Sequence, residues 1–120
     1  MGDVCSLPPL LSGTCLCDFA TMPDGGASIV PVSLPEGETS VIVLRSGDQC
    51  LCYRNRCPHF GVELSKPDGP FYVSPHEWLK CNVHYAKFRW DDGVCISGDC
   101  VGESLIAVAV VVREGRVWVA

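Results

Sequence analysis

Short apolar stretches separated by turn residues run along most of the chain. Residues 40–45 read Ser-Val-Ile-Val-Leu-Arg, and residues 49–54 alternate as Gln-Cys-Leu-Cys-Tyr-Arg after a Ser-Gly-Asp turn, which is typical of a β-hairpin. No window keeps the i, i+3, i+4, i+7 apolar spacing of an amphipathic helix beyond one or two turns. The pattern therefore predicts strands and turns with almost no helix.

Nine strands are predicted from these stretches and the Gly, Pro and Asp clusters between them. They are residues 14–19, 27–34, 40–45, 49–54, 77–81, 87–90, 94–97, 105–113 and 116–119. The valine-rich end of the eighth, residues 108–112, is interpreted as a buried strand. Short strands with frequent turns indicate an all-β fold, an antiparallel sandwich or barrel.

Composition limits what such a fold can do. A chain of 120 residues and 13.0 kDa forms one domain, here residues 1–120, and has no room for its own flavin or nicotinamide domain. The net charge of −5 disfavours nucleic acid, which requires clustered Lys and Arg. The longest apolar run, residues 105–112, is too short to span a membrane.

The nine cysteines are an odd number, so at least one thiol stays unpaired or binds another group. Asp3 stands where an export signal needs positive charge, and Pro8 and Pro9 interrupt the first apolar stretch. We therefore expect a cytoplasmic protein with a flexible segment at residues 1–13. Gly2 fits a loose myristoylation pattern, but we expect it to be unmodified.

The candidate chemistry lies in two segments that each pair one cysteine with one histidine. Cys57 and His59 form a C-x-H pair, and Cys81 and His84 form a C-x-x-H pair. Two thiolates and two imidazoles make a four-ligand set for a buried metal. Two readings of this set stay open at this point, a structural zinc site and an iron–sulfur cluster.

The two segments resemble the ligand motifs of the Rieske [2Fe–2S] family, specifically its small ferredoxins. The family pattern is C-x-H-x-G-x-x-L followed by C-x-x-H-x-x-x-F. The matching residues here are Cys57, His59, Gly61 and Leu64, then Cys81, His84 and Phe88. The resemblance extends over about residues 19–119, and it implies a Rieske-type sandwich or barrel with a small cluster-binding subdomain at about residues 55–92, formed by two loops.

The mixed pairing favours the cluster over zinc. Structural zinc modules usually pair like ligands, as C-x-x-C followed by H-x₃₋₅-H, whereas each segment here mixes Cys and His. By the resemblance, one [2Fe–2S] cluster is bound per chain, with Cys57 and Cys81 on an inner iron and His59 and His84 on an outer iron near the surface.

Histidine ligation makes the cluster less negative than an all-cysteine one and raises its reduction potential. High-potential members of the family carry two further cysteines joined by a disulfide and a serine near the cluster. Val62, Val83 and Ala86 stand at those positions here, so we expect a potential near the low end of the Rieske range, about −150 mV.

The chain also departs from the family pattern. Tyr85 stands where a glycine commonly follows the second histidine, and residues 97–102 replace a proline-containing loop that covers the cluster. Outside the motifs, Cys50 and Cys52 are expected to pack as apolar residues on one strand face, and residues 15 and 17 similarly. Cys95 and Cys100 are candidates for a disulfide, although neither stands at the family's disulfide positions.

The resemblance implies a one-electron carrier between a reductase and an acceptor such as a ring-hydroxylating oxygenase. Partners would dock transiently near His59 and His84. The chain is not itself an oxygenase, because a mononuclear iron needs two histidines and a carboxylate and only His76 remains, which is expected in a loop. Two alternatives stay open: an accessory Rieske subunit resembling the small subunit of nitrite reductase, and a zinc-stabilised interaction module.

Overall fold

The computed structural model describes residues 12–35, 37–58, 61–65, 71–81, 85–98 and 100–120. Within these ranges the regular structure is strand alone, and every strand pair is antiparallel. The prediction of an all-β fold is therefore confirmed. The strands are β1 Cys15–Asp18, β2 Ala27–Leu34, β3 Gly37–Ser46, β4 Gln49–Arg54, β5 Val73–Ser74, β6 Trp78–Lys80, β7 Lys87–Arg89, β8 Cys95–Ser97, β9 Val110–Arg113 and β10 Arg116–Val119.

Two three-stranded sheets, β1-β10-β9 and β2-β3-β4, lie next to each other, with β9 beside β4 and β1 beside β2. Apolar side chains from both sheets form one core between them, which includes Leu16, Val41, Cys52 and Val117. The two sheets together make the sandwich or barrel that the turn spacing predicts.

Strand β3 is the centre of the molecule because it is buried on both faces. Val41 and Val43 point into the sandwich core, whereas Ile42 and Leu44 point into a second core on the other side of the sheet. All four are 0% exposed. Full burial of an aliphatic side chain stabilises the fold by about 1.5–3 kcal/mol, so this strand ties the two cores together.

The second core lies between the β2-β3-β4 sheet, called the central sheet below, and a four-stranded sheet in the order β5-β6-β7-β8, called the small sheet. Leu79 of β6 and Phe88 of β7 face this core, and Tyr53 of β4 donates a hydrogen bond from its hydroxyl to the Trp90 carbonyl across it. Burial raises the pKa of Tyr53 to about 12. Cys57, which follows β4 of the central sheet, and Cys81, which follows β6 of the small sheet, belong to this same core.

Three strands have the predicted bounds, but the predicted strand at residues 105–113 is too long. Its first half changes partners: the Leu105 N–H donates to the Gly93 carbonyl, whereas the Val108 N–H donates to the Cys52 carbonyl. Only the second half, β9, pairs continuously, and it pairs with β10. A segment that bonds first to the β7–β8 turn and then to β4 cannot form one regular strand.

The interpretation of residues 108–112 as a buried strand is wrong. Val111 and Val112 are each 39% exposed, because β9 is the last strand of its three-stranded sheet.

Strand β5 was not predicted, since it consists of only two residues.

The described part of the chain contains no helix with the length and apolarity needed to cross a membrane. Residues 1–11 of the expected flexible segment, residues 1–13, lie outside the described residues. Gly2, the candidate myristoylation site, lies outside them as well.

Gly93 is expected to be sensitive to substitution because two constraints meet there. Its φ is +73°, and an added Cβ would lie 2.8 Å from Tyr53 Cε1. Gly47 has a similar φ of +62° with nothing within 4 Å of an added Cβ. We expect Gly93→Ala to lower the free energy of unfolding by about 1–3 kcal/mol more than Gly47→Ala, measured by urea denaturation. Equal losses would contradict the packing argument.

Candidate metal centre

The two cysteines of the ligand motifs occupy equivalent positions in two loops. Cys57 follows β4, and Cys81 follows β6. Both side chains are 0% exposed and belong to the same apolar core. Their histidine partners, His59 and His84, lie outside the described residues, so the structure describes half of the predicted ligand set.

The backbone around the two cysteines follows one hydrogen-bond pattern. In the first loop, the Cys57 N–H donates to the Val62 carbonyl at 2.6 Å, and the Gly61 N–H donates back to the Cys57 carbonyl at 2.8 Å. In the second loop, the Cys81 N–H donates to the Ala86 carbonyl at 2.8 Å, and the Tyr85 N–H donates to the Cys81 carbonyl at 2.9 Å. The partners are five and four residues beyond the cysteine in both cases, so the described backbone of the two loops shares one hydrogen-bond pattern.

This equivalence extends to the backbone angles. Gly61 and Tyr85, each four residues after its cysteine, have φ values of +71° and +60°. Glycine adopts such a left-handed conformation without a steric penalty, whereas an aromatic residue does not. Tyr85 therefore adopts a conformation that favours glycine, at a cost in strain, which sequence analysis did not predict.

Asn55 fixes the first loop to the central sheet. Its side-chain amide donates to Ser40 Oγ at 2.9 Å and to the Ser65 carbonyl at 2.7 Å, and its carbonyl oxygen accepts from the Leu64 N–H at 3.0 Å. Asn55 is 4% exposed, so these polar groups have little access to water. Sequence reasoning missed this residue, although a polar side chain between an apolar strand and a ligand motif is a usable signal.

A third segment, residues 97–102, lies against the second ligand loop. A Cβ added to Gly98 would lie 3.0 Å from Ala86 Cα, so this segment touches the loop through its backbone. Next to the first loop, a cavity of about 420 Å³ is lined by Cys57 with its neighbours and by residues 102–106. Gly98 thus lies close to the second ligand loop, whereas a cavity lies beside the first.

Cys95 and Cys100 approach each other behind the ligand loops. Both are free thiols, and the Cys100 thiol donates to Cys95 Sγ at 2.9 Å. Burial, followed by the hydrogen bond to Cys95, raises the pKa of the Cys100 thiol, which therefore stays protonated near neutral pH. The candidate bridge is a hydrogen-bonded thiol pair in this structure.

The cysteines of the sandwich core are only partly as expected. Cys50 and Cys52 pack on one face of β4, and burial raises the pKa of Cys50 to about 11. Cys17 is half-buried against the same core, but Cys15 is exposed, because the pairing of β1 with β10 shifts register between the two cysteines.

His76 lies in the turn between β5 and β6, as expected of a loop histidine. Its Nδ1 is 2.9 Å from Ser46 Oγ, and its Nε2 is 3.5 Å from Asp24 Oδ1. The turn precedes β6, whereas Cys81 follows β6, so His76 stands at the other end of that strand from the second ligand loop.

The donor set fits a thiolate-bound metal centre. Two fully buried sulfur atoms on two matching loops suit a soft-ligand site that needs two equivalent thiolates. Among the described residues no group of three or more Cys, His, Asp or Glu is arranged to hold a metal ion. The remaining donors of the predicted set are the two histidines outside the described ranges.

Asn55→Ala tests whether this anchor holds the first loop. The substitution removes three buried hydrogen bonds, although Ser40 Oγ keeps its bond to Glu63. Because a buried hydrogen bond contributes about 0.5–1.5 kcal/mol, and more where a group loses its partner, we expect a loss in unfolding free energy of about 3 kcal/mol with reduced iron content. Ser33→Ala is the control, since the Ser33 hydroxyl makes an exposed hydrogen bond to Glu38. Chemical denaturation and iron analysis measure both effects, and unchanged values for Asn55→Ala would refute the anchoring role.

Comparison with known proteins gives one family match. The family model for the Rieske [2Fe–2S] domain matches residues 13–113. No curated protein matches the chain.

Solved structures share the fold along nearly the whole chain. The ferredoxin of carbazole 1,9a-dioxygenase from Nocardioides aromaticivorans IC177 has a TM-score of 0.67 at 22% identity, covering 92% of this chain and 98% of that one. A chain from the complex of reduced oxygenase and oxidized ferredoxin in carbazole 1,9a-dioxygenase has a TM-score of 0.69 at 26% identity, covering 89% and 91%.

The terminal oxygenase of carbazole 1,9a-dioxygenase from Novosphingobium sp. KA1 has a TM-score of 0.70 at 23% identity. The match covers 90% of this chain but 29% of that one. The similarity therefore spans a ferredoxin almost completely and an oxygenase chain over less than a third of its length.

Proposed function

The chain belongs to the Rieske [2Fe–2S] domain family, and we propose that it is a one-electron carrier that passes electrons from a reductase to a ring-hydroxylating oxygenase or similar acceptor. The resemblance that the two motifs indicate is confirmed by the family match, which covers both of them. The cofactor that this family implies is a [2Fe–2S] cluster, one per chain, which when bound supplies a one-electron redox couple.

One observation carries the proposal: two ligand loops with the same backbone pattern each hold a fully buried cysteine in one core. We assign Cys57 and Cys81 as the thiolate ligands and His59 and His84 as the imidazole ligands, within a cluster-binding subdomain at about residues 55–92 of a single domain, residues 1–120. The backbone hydrogen bonds fix the backbone of the two cysteines, which favours a preorganised pair of thiolate ligands.

The carrier role, as opposed to catalysis, is supported by the similarity to solved ferredoxins. The match spans 98% of the ferredoxin of one carbazole dioxygenase system. After His59 and His84, one histidine is left, so the chain cannot supply the two-histidine, one-carboxylate site of a mononuclear iron. Partners would dock transiently near His59 and His84, with a small interface.

The cysteine content supports a reducing, cytoplasmic location. The eight cysteines within the described residues form no disulfide with one another, and reducing compartments disfavour disulfides.

Metal and sulfide analysis tests the proposal. Protein purified anaerobically should contain about two irons and two acid-labile sulfides per chain and give the EPR spectrum of a Rieske centre when reduced. Colourless protein with zinc and no sulfide would replace the carrier proposal with a zinc-stabilised interaction module. Stable co-purification with a large reductase would favour the accessory-subunit alternative.

Replacing one predicted imidazole ligand tests the assignment of the outer iron. We expect His84→Cys to lose the Rieske spectrum, because an outer iron with an added thiolate has a different ligand field and a lower potential. His76→Gln is the matched control and should keep the spectrum, since His76 lies at the other end of β6. Loss of the spectrum in His76→Gln alone would reverse the assignment.

The reduction potential is expected near about −150 mV, at the low end of the Rieske range. Val62 and Ala86 are apolar residues at positions where high-potential relatives carry a disulfide cysteine and a hydroxyl donor, so less hydrogen bonding reaches the cluster. Potentiometric titration followed by EPR measures the midpoint. A midpoint well above zero would contradict this reasoning.

A further inference from the structure

One side of the small sheet carries half-buried lysines and partly exposed aromatic rings next to the second ligand loop. Leu79 and Phe88 are buried beneath it. Alternate side chains of a strand point to opposite faces, so their neighbours Lys80 and Lys87 lie on the outer side. The residues that form this cationic–aromatic face are Tyr72, Trp78, Lys80, Tyr85 and Lys87.

Two positive charges are held side by side on this face. Lys80 and Lys87 are direct partners across β6 and β7. Like charges in that position destabilise a sheet unless something offsets the repulsion. Within the described ranges neither lysine forms an ion pair, in contrast to Arg89 of the same strand, which contacts Asp92 at 2.7 Å.

Aromatic rings take the place of counter-ions. The Lys80 Nζ lies 5.2 Å from the centroid of the Tyr85 ring and 6.0 Å from that of Tyr72, and the Lys87 Nζ lies 4.6 Å from that of Trp78. A ring face attracts a cation without neutralising it. The two charges therefore keep their capacity to bind carboxylates from another molecule.

Tyr85 is the residue of this face that the fold itself does not favour. It occupies the left-handed position that Gly61 fills in the matching loop, and its side chain is 63% exposed. An exposed ring contributes little burial energy to offset strained backbone. Such outliers concentrate at functional sites, where the side chain has a role that compensates for the strain.

We propose that the cationic–aromatic face is the docking surface for an acidic redox partner, with Tyr85 determining specificity. This rests on the proposed carrier function and adds the partner's charge to it. Lys80 directly precedes Cys81, and Tyr85 directly follows His84, so a partner seated here reaches the second ligand loop. The net charge of −5 repels such a partner from afar, but within a Debye length of about 8 Å the local charges dominate.

Two redox proteins of opposite charge serve as probes for the test: plastocyanin, an acidic copper protein, and cytochrome c, a basic haem protein. Holoprotein reduced with dithionite is mixed with each in a stopped-flow instrument at several ionic strengths. The proposal predicts a second-order rate constant with plastocyanin that falls as salt rises. The double variant Lys80→Glu/Lys87→Glu should lower that constant about tenfold at low salt and raise the one with cytochrome c.

Arg113→Glu is the matched control. Arg113 also lies over an aromatic ring, 5.7 Å from the centroid of Trp118, but it belongs to the β1-β10-β9 sheet. Arg113→Glu changes the net charge by as much as one lysine reversal but lies outside the docking surface. It should therefore lower the rate constant with plastocyanin less than Lys80→Glu or Lys87→Glu alone. Binding of oxidised holoprotein to immobilised plastocyanin, measured by surface plasmon resonance, should show the same order without electron transfer.

Tyr85→Gly separates specificity from folding. We expect a thermal midpoint that is unchanged or higher, an unchanged reduction potential, and plastocyanin binding weakened several-fold, whereas Tyr85→Phe should keep binding. Glu114→Gly relieves a similar φ of +53° in the β9–β10 turn and should leave binding unchanged.

The outcomes distinguish this inference from the function it rests on. No electron transfer to either probe would reject the carrier function and this docking surface together. Normal transfer that rises with salt for plastocyanin, or that ignores the lysines and Tyr85, would reject the docking surface and leave the carrier function standing.

Discussion

Backbone hydrogen bonds on two cysteines hold the candidate metal centre together. The amide of Cys57 and the amide of Cys81 each close a loop five residues long, and the carbonyl of each cysteine accepts a second bond from inside the loop. Because the closing groups belong to the backbone, they do not depend on side-chain protonation. These bonds fix the backbone of both cysteines, and a preorganised backbone lowers the cost of ordering a binding site.

The rest of the fold serves this arrangement. Strand β3 is buried on both faces and joins the sandwich core to the core that holds both cysteines. Asn55 connects the first loop to β3 through Ser40, and the β6–β7 hairpin carries the second loop. Buried polar groups with all their partners satisfied are costly to disturb, so the first loop is tied to the most protected strand of the molecule. Gly98 lies close to Ala86 in the second loop, whereas a cavity lies beside the first loop.

Charge is distributed unevenly with respect to the candidate centre. The chain is acidic as a whole, yet the sheet beside the second ligand loop carries two lysines paired across adjacent strands. Electrostatic fields at contact distance depend on local groups, whereas the net charge acts mainly at long range, where salt screens it. An electron carrier that meets two partners in turn benefits from such a separation, because each partner can respond to a different part of the surface.

Local patterns in the sequence determined the all-β class, the bounds of β2, β4 and β10, and the family, since strand alternation and metal-ligand spacing are written in neighbouring residues. They did not determine that the Leu105 and Val108 amides bond to the β7–β8 turn and to β4, that Val111 is exposed, or that Asn55 anchors a loop. Those facts depend on which distant segments become neighbours. The same holds for Tyr85: its equivalence to Gly61 exists only once both loops have closed, because a backbone angle is set by hydrogen bonds that form in the folded chain.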